Sequence, residues 1–91
     1  MIYLITYDLN KPSQEYKELY EELRKASTWW HYLDSTWLIV TSESVEIISQ
    51  RIRDKTDNND RFLVIDITGK NYDGWLAKEA WKWIYENING Y

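Results

Sequence analysis

Apolar positions along this chain switch between two periods, and each switch predicts an element. Met1 to Tyr7 is a nearly unbroken run of aliphatic, aromatic and β-branched residues closed by Asp8, Asn10, Lys11 and Pro12, which reads as a buried strand. Pro12 and Ser13 then open a helix in which Tyr16, Leu19, Tyr20, Leu23 and Ala26 recur at helical spacing. Its early glutamates precede Arg24 and Lys25, in keeping with the helix macrodipole. Trp29 to Leu33 and Thr36 to Thr41 read as a hairpin turning at Asp34 and Ser35. Ser42 and Ser44 begin a second helix with a core face of Val45, Ile48 and Ile52. The cluster Asp57, Asn58, Asn59 and Asp60 is a turn before a fourth strand, Arg61 to Thr68, whose apolar content predicts burial on both faces. Gly69 ends that strand, and a last helix is predicted from about Trp75 to about Ile88.

The order β-α-β-β-α-β plus one helix predicts an α+β fold, a ferredoxin-like sandwich in a single domain covering residues 1–91. An antiparallel sheet with its helices on one face leaves the other bare. The last helix or a second copy of the sheet must cover it. Leu76, Ala80, Trp83 and Ile84 form one apolar stripe on that helix, while Trp75, Trp81, Tyr85 and Ile88 lie off it. A helix packed on one surface needs one stripe, so the second predicts a homodimer or a larger closed assembly.

Composition sharpens this picture at three points. Six Trp and eight Tyr in 91 residues exceed what so small a core absorbs, which predicts rings at a contact or a stacking surface. The absence of cysteine excludes disulfides and thiolate metal sites and suits a cytoplasmic protein. The leading apolar run is short, has no basic leader and reads as a strand, not a signal peptide, and no run is long enough to span a membrane. A net charge of −4 argues against coating long nucleic acid, though short nucleic acid stays open. Lys11, Arg24, Lys25, Arg51, Arg53, Lys55 and Arg61 are either a local basic pocket or an ordinary solvated surface.

Candidate chemistry gathers at the end of the first strand and at the hairpin. Asp8 sits where α/β sheets commonly hold ligands. His31 is the single histidine; it serves as a general base, donates to a phosphate, or is satisfied by backbone. Trp29 and Trp30 must point to opposite faces of a strand. Ser35 and Thr36 hold a phosphate or cap the turn, since no nucleophile elbow surrounds them. No glycine-rich phosphate loop exists, and the Asp57–Asp60 cluster lacks the glycine and distal glutamate of an EF-hand.

Tyr7-Asp8-Leu9-Asn10-Lys11-Pro12, Trp30-His31, Leu33-Asp34-Ser35-Thr36-Trp37 and Asp57-Asn58-Asn59-Asp60 resemble the Cas-two superfamily of CRISPR-associated proteins, and within it the small bacterial and phage proteins labelled "SinR family". VapD-type toxins share that fold. The resemblance runs from Met1 to about Thr68. It implies a dimer whose sheets face each other, with the two copies of Asp8 near the two-fold axis holding a divalent metal for phosphodiester cleavage.

Two functions follow as expectations. The first is a homo-oligomer that needs no cofactor and sequesters a small nucleotide, such as an immune second messenger, at a subunit interface in phage counter-defence. Tyr7, Trp30 and Trp37 would stack on the base, and Asn10, Lys11, His31, Ser35 and Thr36 would contact ribose and phosphate. Truncating Trp30, Trp37 or Lys11 would then weaken binding most. The second is a Mg²⁺-dependent nuclease or ribonuclease toxin with Asp8 as metal ligand and Asp8 and His31 as catalytic residues.

Overall fold

The computed structural model describes residues 1–10 and 16–88. Its elements are β1 (Ile2–Asp8), α1 (Lys17–Leu23), β2 (Thr28–Leu33), β3 (Thr36–Val40), α2 (Val45–Arg53), β4 (Arg61–Asp66) and α3 (Lys78–Asn87). The strands form one antiparallel sheet in the order β2-β3-β1-β4. This is an α+β architecture compatible with the ferredoxin-like sandwich.

β1 is apolar on both sides because it is central and both its faces are covered over its first half. Tyr3, Ile5 and Tyr7 join Trp37 and Ile39 of β3 beneath Leu19, Leu23, Ile48 and Ile52 of α1 and α2. Ile2 joins Trp30, Leu38 and Val40 against Ala80, Ile84 and Ile88 around α3. Successive side chains of each strand therefore feed two separate cores. Trp29 and Trp30 divide accordingly: Trp30 is buried in the second core, and Trp29 lies against Trp37 of the first.

Local signals account for most boundaries. The Ser44 hydroxyl accepts from the Ile47 amide and starts α2, whose last turn carries Arg51 and Arg53 at the negative end of the helix dipole. Gly69 follows β4 at φ +70, a conformation that favours glycine, and its amide donates to the Ile88 carbonyl at 2.6 Å, tying the strand exit to the end of α3. The Trp30 indole donates to the Ala80 carbonyl at 3.1 Å and the Trp83 indole to the Thr28 hydroxyl at 2.9 Å, so α3 is pinned over the β2 side of the sheet.

Four sequence expectations need correction. α3 starts at Lys78, not Trp75, and the residues before it form an extended loop. Ile88 belongs with the buried stripe, since Ala80, Ile84 and Ile88 follow one another at four-residue spacing. The fourth strand ends at Asp66, because the Asp66 carboxylate accepts from both the amide and the hydroxyl of Thr68 and turns the chain. That strand is also half-exposed: Leu63 is 53% and Ile65 44% accessible, because β4 is an edge strand that α3 does not reach. The start of the first helix at Pro12 and Ser13 lies outside the described residues; α1 is regular from Lys17, with Tyr16 before it. Among the described residues no helix is long and apolar enough to cross a membrane.

Candidate functional site

The end of β1, the α1 face and the β2–β3 turn enclose an open cleft of roughly 530 Å³ lined by Tyr7, Asp8, Leu9, Tyr20, His31, Asp34 and Ser35. Strand pairing builds it. The β1–β3 register sets Ile5 opposite Trp37 and Thr6 opposite Thr36, which brings the turn beside Tyr7, whose amide donates to the Ser35 carbonyl at 3.1 Å.

The Asp34 carbonyl organises the wall. Tyr7 Oη donates to it at 3.3 Å, and His31 Nε2 lies 3.1 Å from it. A carbonyl oxygen only accepts, so the proton of neutral His31 sits on Nε2 and Nδ1 keeps the lone pair. Any base chemistry of His31 therefore runs through Nδ1. Behind the wall, Trp37 stacks on the His31 ring with centroids 4.1 Å apart and planes 16° from parallel, and its indole donates to Tyr7 Oη at 3.0 Å. Tyr20 stacks on Trp37 at 6.0 Å, and the Arg24 guanidinium lies 5.6 Å from the Trp29 ring and 5.7 Å from Trp37.

Burial pushes the Tyr7 phenol up to about 12. Its neutral form is thus favoured by folding: that stabilisation is intact below about pH 10, the unfolded value, and is lost as pH rises towards 12. In a spectrophotometric alkaline titration, Tyr7→Phe should remove amplitude from the part above about pH 11 and leave the earlier part of the curve in place. A loss confined to the earlier part would contradict the burial of this phenol.

The candidate residues separate into three groups. Tyr7, Asp8, His31 and Ser35 come together in the cleft. Trp30 and Trp37 are not among the residues lining it; both are buried in cores, one on each side of the sheet. Thr36 points to the opposite face, where its hydroxyl meets that of Thr6 at 3.5 Å, and Asn10 is drawn away by its amide bond to Asp60 Oδ1 at 2.8 Å. Lys11 lies outside the described residues. Leu9, Tyr20 and Asp34 are the lining residues that sequence reasoning missed: Leu9 has no polar group to single it out, Tyr20 reads as core from its spacing, and Asp34 acts through its carbonyl, which has no sequence signature.

Asp8 stands directly across from Arg61 of β4 in the strand ladder and lies on the cleft rim, while the Arg61 guanidinium turns to the Asn58 and Asp60 carbonyls. Among the described residues no three His, Cys, Asp or Glu side chains group so as to hold a metal ion. No Lys or Arg among the described residues lines the cleft either. Lys25 pairs with Glu22 at 3.2 Å, and Arg51 forms a two-armed pair with Glu43, one arm at 2.6 Å, across a separate hollow between α1 and α2. The Asp57–Asp60 segment is a turn, with the Asp57 carboxylate accepting the Asn59 amide at 2.9 Å.

No family model, no curated protein and no solved structure matches this chain.

Proposed function

We propose that this chain is a homo-oligomeric binding protein for a small nucleotide-type ligand, held in the cleft between Tyr7, Tyr20, His31 and the β2–β3 turn. The observation that carries the reading is the convergence of three ring systems with a polar turn in one open cleft. Tyr20 and His31 offer faces for a base, Ser35 offers a hydroxyl, and the carboxylates of Asp8 and Asp34 suit ribose hydroxyls or exocyclic amines better than phosphate. Arg24, over the Trp37 ring that backs His31, is a described cation that could serve a phosphate. All these residues come from one chain, so each subunit carries its own cleft. The resemblance of the first strand and hairpin to the Cas-two superfamily supports a nucleotide-type ligand, and sequestration during phage counter-defence is the setting it suggests.

The nuclease reading retains one specific observation: Asp8 and His31 share this cleft. Titration calorimetry with mono-, cyclic and short oligonucleotides, with and without Mg²⁺ and followed by product analysis, separates the two. Sequestration predicts binding without Mg²⁺ and intact recovered ligand. Tyr20→Leu, which keeps bulk and removes the ring, should then weaken binding roughly 5- to 150-fold, the worth of one stacked base. Cleaved product that disappears in Asp8→Asn would replace the proposal with the nuclease.

A further inference from the structure

The two edges of the sheet differ. β2, at one edge, has a break in register between Trp30 and Leu33. β4, at the other, pairs with β1 residue for residue from Arg61 to Asp66 and contains no proline, glycine, lysine or bulge. Irregularity, lysine and proline are how sheets protect an edge, so β2 is blunted and β4 is not.

The ladder shows which groups β4 turns outward. Ile67 donates its amide to Ile2 at 3.0 Å, which puts Ile67, Ile65, Leu63 and Arg61 in the set that bonds to β1. Phe62, Val64 and Asp66 therefore point their amides and carbonyls away from the sheet, where no strand of the described residues lies. Leu63 and Ile65, exposed on the face opposite α1 and α2, stand beside that same edge.

We infer that β4 pairs antiparallel with β4 of a second copy of this chain, joining two four-stranded sheets into one of eight strands about a two-fold axis at Val64. This deepens the homo-oligomer of the preceding section and rests on it. A two-fold pairing keeps each face continuous, so residues of the same face must oppose one another, and two registers use most of the strand. Centred on Leu63, the pairing would set Asp60 opposite the other copy's acidic Asp66 position. Centred on Val64, it sets Leu63 opposite Ile65 twice over, Val64 opposite its own copy and Phe62 opposite Asp66, with no like-charge pair. The antiparallel sense also lays the Arg61 end of each strand along the Asp66 end of its mate. The occupant is a second copy because this strand complements itself in charge, in apolar pairing and in outward backbone groups.

Analytical ultracentrifugation of the full chain tests it, with circular dichroism to check folding. The wild type should sediment at twice the chain mass. Leu63→Lys and Ile65→Lys act on exposed side chains and should fold. Val64→Pro removes an outward amide together with part of the packing Val64 makes on the first core, at an edge position where a sheet tolerates proline. All three should weaken the dimer roughly 100-fold or more. Mixing Leu63→Lys with Ile65→Glu should restore a heterodimer, because the two substituted positions face each other. A monomeric wild type would overturn the homo-oligomer itself. A wild-type dimer indifferent to all three variants would leave the oligomer standing and overturn this edge. Rescue of Leu63→Lys by Leu63→Glu, and not by Ile65→Glu, would overturn the register.

Discussion

Replacing Trp37 with alanine is expected to destabilise the fold by about 3–5 kcal/mol, the cost of deleting a large buried aromatic ring. Trp37 is fully inaccessible, and His31, Tyr20 and Trp29 surround its indole. The substitution leaves a cavity among groups fixed to a strand, a helix and a turn, and those elements cannot all move to fill it. It also removes the donor to Tyr7 Oη, a bond worth about 1 kcal/mol. A domain of this size has about 5–15 kcal/mol in total, so the variant should be marginal or unfolded at room temperature. Trp37→Phe, which keeps most of the ring and loses the indole donor, should cost about 1–2 kcal/mol. Urea unfolding followed by far-ultraviolet dichroism measures both, free of the fluorescence of the remaining tryptophans. A loss below about 1 kcal/mol for the alanine variant would show that Trp37 is not the centre of the first core. Reduced ligand binding by this variant, by the same reasoning, reports lost structure and not a lost stacking face.

Trp37 also marks where sequence reading reaches its limit. The hairpin was legible, because alternating strand formers on either side of Asp34 and Ser35 admit little else. That Trp29 and Trp30 lie on opposite faces was legible too, since a strand has a period of two. Which face belongs to a helix layer and which to solvent is decided by elements far along the chain. The tryptophans drew attention as ligand platforms because of their type, and only the packing of α1 over β3 shows that Trp37 is enclosed.

β4 fails as a sequence reading for a related reason. Phe62, Leu63, Val64 and Ile65 are apolar on both faces, as in a strand buried in the middle of a sheet. Local pattern cannot distinguish covering by the same chain from covering by another. In this chain α3 is held over β2 by the indoles of Trp30 and Trp83, and the β4 half of that face stays open. The stripe of the last helix was legible, since Ala80 and Ile84 are buried in the second core with Leu76 and Trp83 packed against it; Ile88 and Trp81, expected off the stripe, join that core as well. The cleft was legible in part. Tyr7, Asp8, His31 and Ser35 all lie at strand ends or at the turn, where strand pairing must bring them together. Tyr20 was concealed by its helical spacing.

Asp60 was the most thoroughly hidden residue, read as one member of a surface turn, and its removal carries the second large expected effect. It is buried, with Oδ1 accepting from the Asn10 amide at 2.8 Å and the Tyr16 hydroxyl at 2.6 Å, and Oδ2 accepting from the Asp57 amide at 2.9 Å. A buried carboxylate persists only when its lone pairs are met, and these donors come from both sides of the β1–α1 connection and from its own turn. Asp60→Ala should cost about 3 kcal/mol or more, since hydrogen bonds to a charged acceptor are worth about 1.5–3 kcal/mol each and their donors are left behind. Tyr16→Phe removes a single donor and should cost about 1–2 kcal/mol. The two effects should fall short of adding in the double variant, because both substitutions delete the same Tyr16–Asp60 bond. Chemical denaturation gives the magnitudes, and amide hydrogen exchange gives the location. The Asn10 amide should exchange far faster in Asp60→Ala than in Tyr16→Phe, because only the first variant deletes its acceptor. Equal exchange in both would mean that Asp60 does not hold this loop. Asp8 and Leu9 of the cleft rim immediately precede Asn10, so the same tether fixes the chain where β1 ends, and ligand affinity should fall in Asp60→Ala even under conditions where that variant stays folded.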